Sequence, residues 1–150
     1  MSGGIDSITS LLEKAQRLNT ELGDGSMIRA ALVLHERDVL DINRETLYSG
    51  RDSNNQEVEP PYRPSTVRMK KSKGQPYDRV TLKDSGTFYS RFVMLYGEDA
   101  FEITSEDWKV DDLIAKYGRN IFGLTDEAQG DLSHMLRDTL LNDINILFSE

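Results

Sequence analysis

All four prolines of the 150-residue chain fall between Pro60 and Pro76, so no long helix can cross the middle of the sequence. The surrounding stretch over residues 48–77, "YSGRDSNNQEVEPPYRPSTVRMKKSKGQPY", is rich in turn formers and shows little apolar periodicity. About thirty residues without a clear element exceeds what compact domains ordinarily hold. Residues 48–78 therefore read as a projecting arm, with at most a short strand over Thr66–Met69.

Helical periodicity lies on either side of that arm. Ile5, Ile8, Leu11, Leu12, Ala15, Leu18 and Leu22 recur at helical spacing and predict a helix over 6–22. Gly23-Asp24-Gly25 ends it, and Ser26 is placed to cap a second helix carrying Ile28, Ala31, Leu32, His35, Val39 and Ile42 to about Leu47. Beyond the arm, Val80–Leu82 reads as a strand end, and Asp84 or Ser85 caps a short helix over 86–92. "VMLYG" and "AFEIT" read as two strands joined by a Gly97-Glu98-Asp99 turn, and Val110–Tyr117 as a helix ended by Gly118. Thr125 caps a long terminal helix with Asp126 and Glu127 in its first turn. Leu132, Leu136, Leu140, Ile144 and Leu147 form its buried seam. The expectation is an α+β fold, a single domain over 1–150: an N-terminal helical hairpin, a long extended arm, a small antiparallel sheet and a long C-terminal helix.

An apolar content of 37% with 29% charged residues suits a folded globular chain. With no cysteine, neither disulfides nor thiolate metal sites can form. The N-terminus does not read as a signal peptide, and no apolar run is long enough for a membrane span. The net charge of −8 argues against general nucleic-acid affinity, which rests on cationic side chains. Its distribution is uneven. Residues 1–50 carry −3, residues 51–91 carry +4 and residues 92–150 carry −9.

The stretch "VTLKDSGTFYSRF" over 80–92 has the appearance of a reactive segment, but its serine lacks the surroundings of a nucleophile. A nucleophile elbow needs glycine two residues on each side, and Lys83 and Thr87 stand there instead. The two histidines, His35 and His134, both fall in predicted helices, the first as a half-buried packing residue and the second at the surface or an interface. A hydrolase reading through Ser85 thus has no recognisable base, and a capping role for Ser85 is favoured. "HERD" lacks the second histidine of a zinc helix. The loop from Asp52 alternates Asn54 and Gln56 like a calcium loop, then places Glu57 at the glycine position and Arg63 at the bidentate glutamate position. "SGG" at Ser2 has no following GK[ST], and the acidic pairs Glu106-Asp107 and Asp111-Asp112 read as helix caps and solvated surface. The expectation is no enzyme, no metal and no cofactor.

Two sets of residues remain as candidates. The first is the basic arm, Arg63, Arg68, Lys70, Lys71 and Lys73, flanked by Tyr62 and Tyr77. It can dock on an acidic neighbour, and a small nucleic-acid-associated regulator using these cations is the alternative reading. The second is a structural corner, Asp84, Ser85, Gly86, Phe88 and Phe92. There the acid and the serine satisfy backbone donors, the glycine permits the turn and the two rings anchor it. A basic centre beside an acidic C-terminal third also suits head-to-tail contact between copies, where unlike surfaces meet.

In order, "LYSGRDSNNQEVEPPYRPSTVRMKK", "LKDSGTFYSRF" and "LIAKYGRNIFGLTDEAQGDL" resemble segments of small virion proteins of tailed bacteriophages. The similarity is to the head–tail connector and tail-completion (virion morphogenesis) proteins, with similar "LYSGxD" and "DSGxFY" segments in crAss-like phages. It covers residues 43–147. It implies a non-enzymatic homo-oligomeric ring at the portal–tail junction, contacting portal, adjacent ring and tail proteins, with the basic arm against a neighbour or channel DNA. It also implies localisation to the virion after assembly in the host cytoplasm, with no membrane partner.

Overall fold

The apolar spacing at both ends does form helices, while the proline-rich middle folds more tightly than its composition predicts. The computed structural model describes the backbone of residues 3–97 and 100–149, and side chains from residue 9 onward except those of residues 11, 21 and 22. The predicted seam residues Ile5, Ile8, Leu11 and Leu22, and the turn residues Glu98 and Asp99, lie outside those described side chains or residues. The fold is α+β: seven α-helices and one two-stranded antiparallel sheet among the described residues, closing on a long C-terminal helix. The chain divides into two compact units, Met1–His35 with Asp131–Glu150, and Glu36–Gly130.

The first unit holds α1 (Gly3–Gly23), α2 (Ser26–Leu34) and most of α7 (Asp126–Ser149). Ser26 does not cap α2. Gly25 takes the N-cap position at φ 76°, and the Asp24 carboxylate accepts the Ser26 N–H at 2.9 Å. That backbone donor holds the Asp24 carboxyl below the usual carboxylate range. The predicted continuous helix over 26–47 is interrupted at His35, whose N–H is shared between the carbonyls of Ala31 and Leu32. A new helix, α3 (Glu36–Tyr48), starts at once with Glu36 and Asp38 in its first turn, where negative charge is favourable. His35 Nε2 lies 2.7 Å from Thr139 Oγ1 and joins the end of α2 to α7. As predicted, Thr125 caps α7, accepting the Ala128 N–H. The predicted seam is only partly covered: Leu132 is buried, whereas Leu136, Leu140, Ile144 and Leu147 are half-buried.

The second unit carries the larger core. From α3, Val39, Leu40, Asn43 and Leu47 are buried. The short helix α5 (Thr87–Ser90) buries Phe88 and Tyr89 and leads into β1 (Phe92–Tyr96). β1 pairs with β2 (Phe101–Ser105) from Phe92 opposite Ser105 to Tyr96 opposite Phe101. After β2 come α6 (Val110–Tyr117) and a short 3-10 turn, Arg119–Ile121. Phe88, Phe92 and Phe122 pack edge-on and tilted, with centroids 5.2 to 5.8 Å apart, the offset arrangement aromatic rings prefer. Asn43, 2% exposed, ties helix to loop: its Nδ2 donates to the Ile121 carbonyl and its Oδ1 accepts the Gly123 N–H.

The segment 48–78 is not an extended arm. Pro64–Ser72 forms a helix, α4, with Pro64 at its first position, so Thr66–Met69 is helical and not a strand. Val58 and Lys70 are buried, and the Ser53 N–H donates to the Asn120 carbonyl. Ahead of α4, the Asp52 carboxylate accepts the N–H groups of Asn54 and Gln56, closing a loop pinned by an antiparallel backbone pairing of Arg51 with Glu57. Polar side chains and local turns thus provide the order that apolar periodicity could not signal. Val80–Leu82 is likewise not a strand. The Tyr62 hydroxyl accepts the N–H groups of Thr81 and Leu82, and Leu82 sits at φ 56°.

Candidate functional site: a cationic cleft beside the corner

The corner forms where the sequence places it. Gly86 takes φ 89°, a left-handed conformation costly to residues with a Cβ, and opens α5. The Ser85 Oγ accepts the Thr87 N–H at 3.3 Å and lies 2.8 Å from Thr87 Oγ1, so its hydroxyl is engaged in shaping the turn. Phe88 and Phe92 are buried as expected. Asp84 differs from expectation. Its carboxylate accepts the Lys73 ammonium at 2.9 Å and the Gln75 amide at 3.2 Å, and it caps no backbone donor. The Lys73 hydrogen bond, then that of Gln75, holds the Asp84 carboxyl below the usual range.

The five cations of the predicted basic arm have different fates. Lys70 is 5% exposed; its Nζ donates to the Lys83 carbonyl at 3.0 Å and lies 5.0 Å from the centre of the Tyr62 ring. Lys71 sits over the Tyr77 ring, and Lys73 is paired with Asp84. Arg63 and Arg68 are exposed. A continuous basic patch is therefore not what the arm presents, because tertiary contacts absorb its central lysines.

A different surface gathers charge. An open cleft of about 510 Å³ lies among α4, the corner and α6. Arg63, Lys70, Lys83, Lys109 and Lys116 line it, against the single carboxylate of Asp84. Met69, Leu82, Phe88 and Leu113 provide apolar lining, and Tyr62, Ser85 and Tyr117 provide hydroxyls. Of the predicted residues, Arg63, Lys70, Asp84, Ser85, Gly86 and Phe88 reach the cleft, whereas Arg68, Lys71, Lys73 and Phe92 do not line it.

Lys83, Lys109 and Lys116 were not among the predicted site residues. Lys109, Leu113 and Lys116 recur at one-face helical spacing, a signal present in the sequence but without meaning until α4 is known to face α6. Polar contacts fix where α6 begins. The Ser105 hydroxyl donates to the Phe88 carbonyl and accepts the Asp107 N–H, and the buried Asp107 carboxylate accepts the Lys109 N–H. Beside it, Trp108 is 82% exposed, with the Lys109 ammonium 5.9 Å from its ring centre.

Such a cleft suits binding of an anionic surface with apolar flanks. The Ser85 hydroxyl is tied to Thr87, and no histidine is among the residues that line its cleft. In the first unit, His35 meets Thr139. No cluster of three or more His, Cys, Asp or Glu residues able to hold a metal occurs among the described residues. No described helix is long and apolar enough to cross a membrane. Comparisons with protein-family models, curated proteins and solved structures give no match.

Proposed function

We propose that this chain is a structural virion protein of a tailed phage, a homo-oligomeric ring or adaptor in the head–tail connector that joins portal to tail. The observation that carries the reading is the convergence of the three segments resembling connector proteins. In the second unit they lock together: Tyr62 and Lys70 of the first bond Leu82 and Lys83 of the second, Ser53 of the first bonds Asn120 of the third, and Phe88 and Phe92 of the second pack against Phe122 of the third. The motifs thus act as parts of a packed module, in keeping with a protein that works by presenting surfaces.

Those surfaces are of the associating kind. The first unit leaves Leu12, Ile28, Val33, Leu34, Leu141, Ile146 and Phe148 exposed, and the second adds Tyr48, Met69, Tyr77, Leu95 and Trp108. Large apolar side chains in such number mark contact sites more often than solvent surface. In this reading the protein assembles in the host cytoplasm and resides in the virion. Arg63, Arg68 and Lys71 are the arm cations left to meet channel DNA. The nucleic-acid regulator is the weaker reading, since Lys70 is buried and Lys73 is paired.

The test is subunit-resolution imaging, with mass spectrometry, of virions from a phage that encodes the chain. Multiple copies between portal and tail are expected. Particles that are complete but lack the protein sink the reading.

A further inference from the structure

The exposed face of α7 and the rim of the cleft carry matching patterns. Along α7, Asp131, Asp138, Leu141, Asn145 and Phe148 recur at spacings of three, four and seven residues, which places them on one side of the helix. All five are exposed, and they lie opposite the partly buried line of Leu132, Leu136, Leu140 and Leu147. Along the cleft rim, Lys109 and Lys116 are also seven residues apart. Two helical turns at 1.5 Å per residue set each pair about 10 Å apart along its axis. Two carboxylates and two ammonium groups at the same interval can therefore oppose each other when the helices lie side by side. Beyond the paired interval, Tyr117 and the exposed Met69 at the cleft offer apolar contact for Leu141.

We propose that the outer face of α7 in one copy docks along α6 and the cleft of the next copy, with Asp131 and Asp138 opposite Lys109 and Lys116. The contact joins unlike surfaces, so a joined pair keeps one free cleft and one free α7 face. Repetition then closes a ring or extends a filament. The charge layout favours this occupant. The cleft holds five cations and one carboxylate, while α7 carries the five carboxylates Asp126, Glu127, Asp131, Asp138 and Asp143 against one cation, Arg137. The inference deepens the proposed connector role by naming the two surfaces through which copies meet.

The experiment is sedimentation velocity of the full-length chain across concentration and ionic strength, with two charge-reversed variants. One is Lys109→Glu with Lys116→Glu; the other is Asp131→Lys with Asp138→Lys. The wild type is expected to self-associate, more weakly as salt rises. Each variant alone should associate at least about tenfold more weakly, because like charges then face each other. Mixing the two variants should restore association, since each supplies the complement of the other's altered surface. Circular dichroism confirms folding, and the neutral pair Lys109→Gln and Asp131→Asn gives a milder series if a reversal unfolds the chain.

A monomeric wild type, association indifferent to both reversals, or a mixture that stays dissociated overturns the contact. A wild type that shifts only with duplex DNA, losing the shift in the lysine variant, overturns it in favour of nucleic acid. Virion incorporation separates the two readings. Self-association through these faces with no place in the particle removes the connector role and leaves the contact. A virion protein that stays monomeric when purified removes the contact and leaves the role.

Discussion

Lys70 donates its ammonium to the carbonyl of Lys83 at 3.0 Å, joining α4 to the loop that leads into the corner. The bond turns a residue that looks like part of a basic patch into an internal strut beneath Tyr62. Replacing it removes a charged hydrogen bond and the cation–ring contact, and the aliphatic stem as well when alanine is used. Lys70→Ala is expected to lower stability by about 1–3 kcal/mol, and Lys70→Met by less, because it keeps the stem. Urea denaturation of the two variants checks this; equal, negligible losses refute the strut.

Asn43 is the corresponding polar joint in the core. One side chain satisfies the Ile121 carbonyl and the Gly123 N–H, so both would lose their partner in Asn43→Leu. The expected cost is about 2–4 kcal/mol, more than a single exposed hydrogen bond, because unpaired buried groups carry a desolvation penalty. Asn43→Asp should also be destabilising, since a carboxylate cannot donate to Ile121. Guanidinium melts of both variants measure the loss, and a stable Asn43→Leu protein refutes the assignment.

The same joint shows which parts of the fold were legible in the sequence. Helices with strict apolar spacing, the β1–β2 pair and the Thr125 cap were readable because each rests on local pattern. The folded state of 48–78 was not, because its order comes from Asp52 closing a loop on Asn54 and Gln56, from Tyr62 receiving two backbone donors, and from Lys70 reaching Lys83. None of these partners shows an apolar period. The cleft was half visible: Arg63 and the corner were identified, but Lys109 and Lys116 acquire meaning only through the long-range approach of α4 and α6. The break at His35 was hidden for a related reason, since helical apolar spacing continues through it while Glu36 and Asp38 quietly begin a new helix.

Two glycines should respond differently to the same substitution. Gly50 sits at φ 83°, and an added Cβ would lie 2.8 Å from the Cβ of Arg79. Gly86 sits at φ 89° with no non-neighbouring atom nearer than the flexible Lys83 Cε at 3.9 Å. Gly86→Ala therefore carries backbone strain alone, about 1–2 kcal/mol. Gly50→Ala adds a collision with a side chain whose Nε is fixed on the Tyr48 carbonyl. Thermal melts are expected to rank Gly50→Ala below Gly86→Ala, and the reverse order refutes the steric argument.

The Lys73–Asp84 pair gives the corner a pH dependence with a definite sign. The folded-state carboxyl of Asp84 is held below its ordinary value of 3.8, first by the Lys73 hydrogen bond and then by that of Gln75. A depressed carboxyl stabilises the folded state above the unfolded value, and this contribution disappears as pH falls through the folded value. Asp84→Asn removes the effect. The stability gap between wild type and Asp84→Asn should thus be constant near neutrality and close below about pH 4. Because both partners are well exposed, the gap should be small and shrink with added salt. Urea midpoints across acidic pH at two ionic strengths test it; a gap that widens on acidification contradicts the assigned direction.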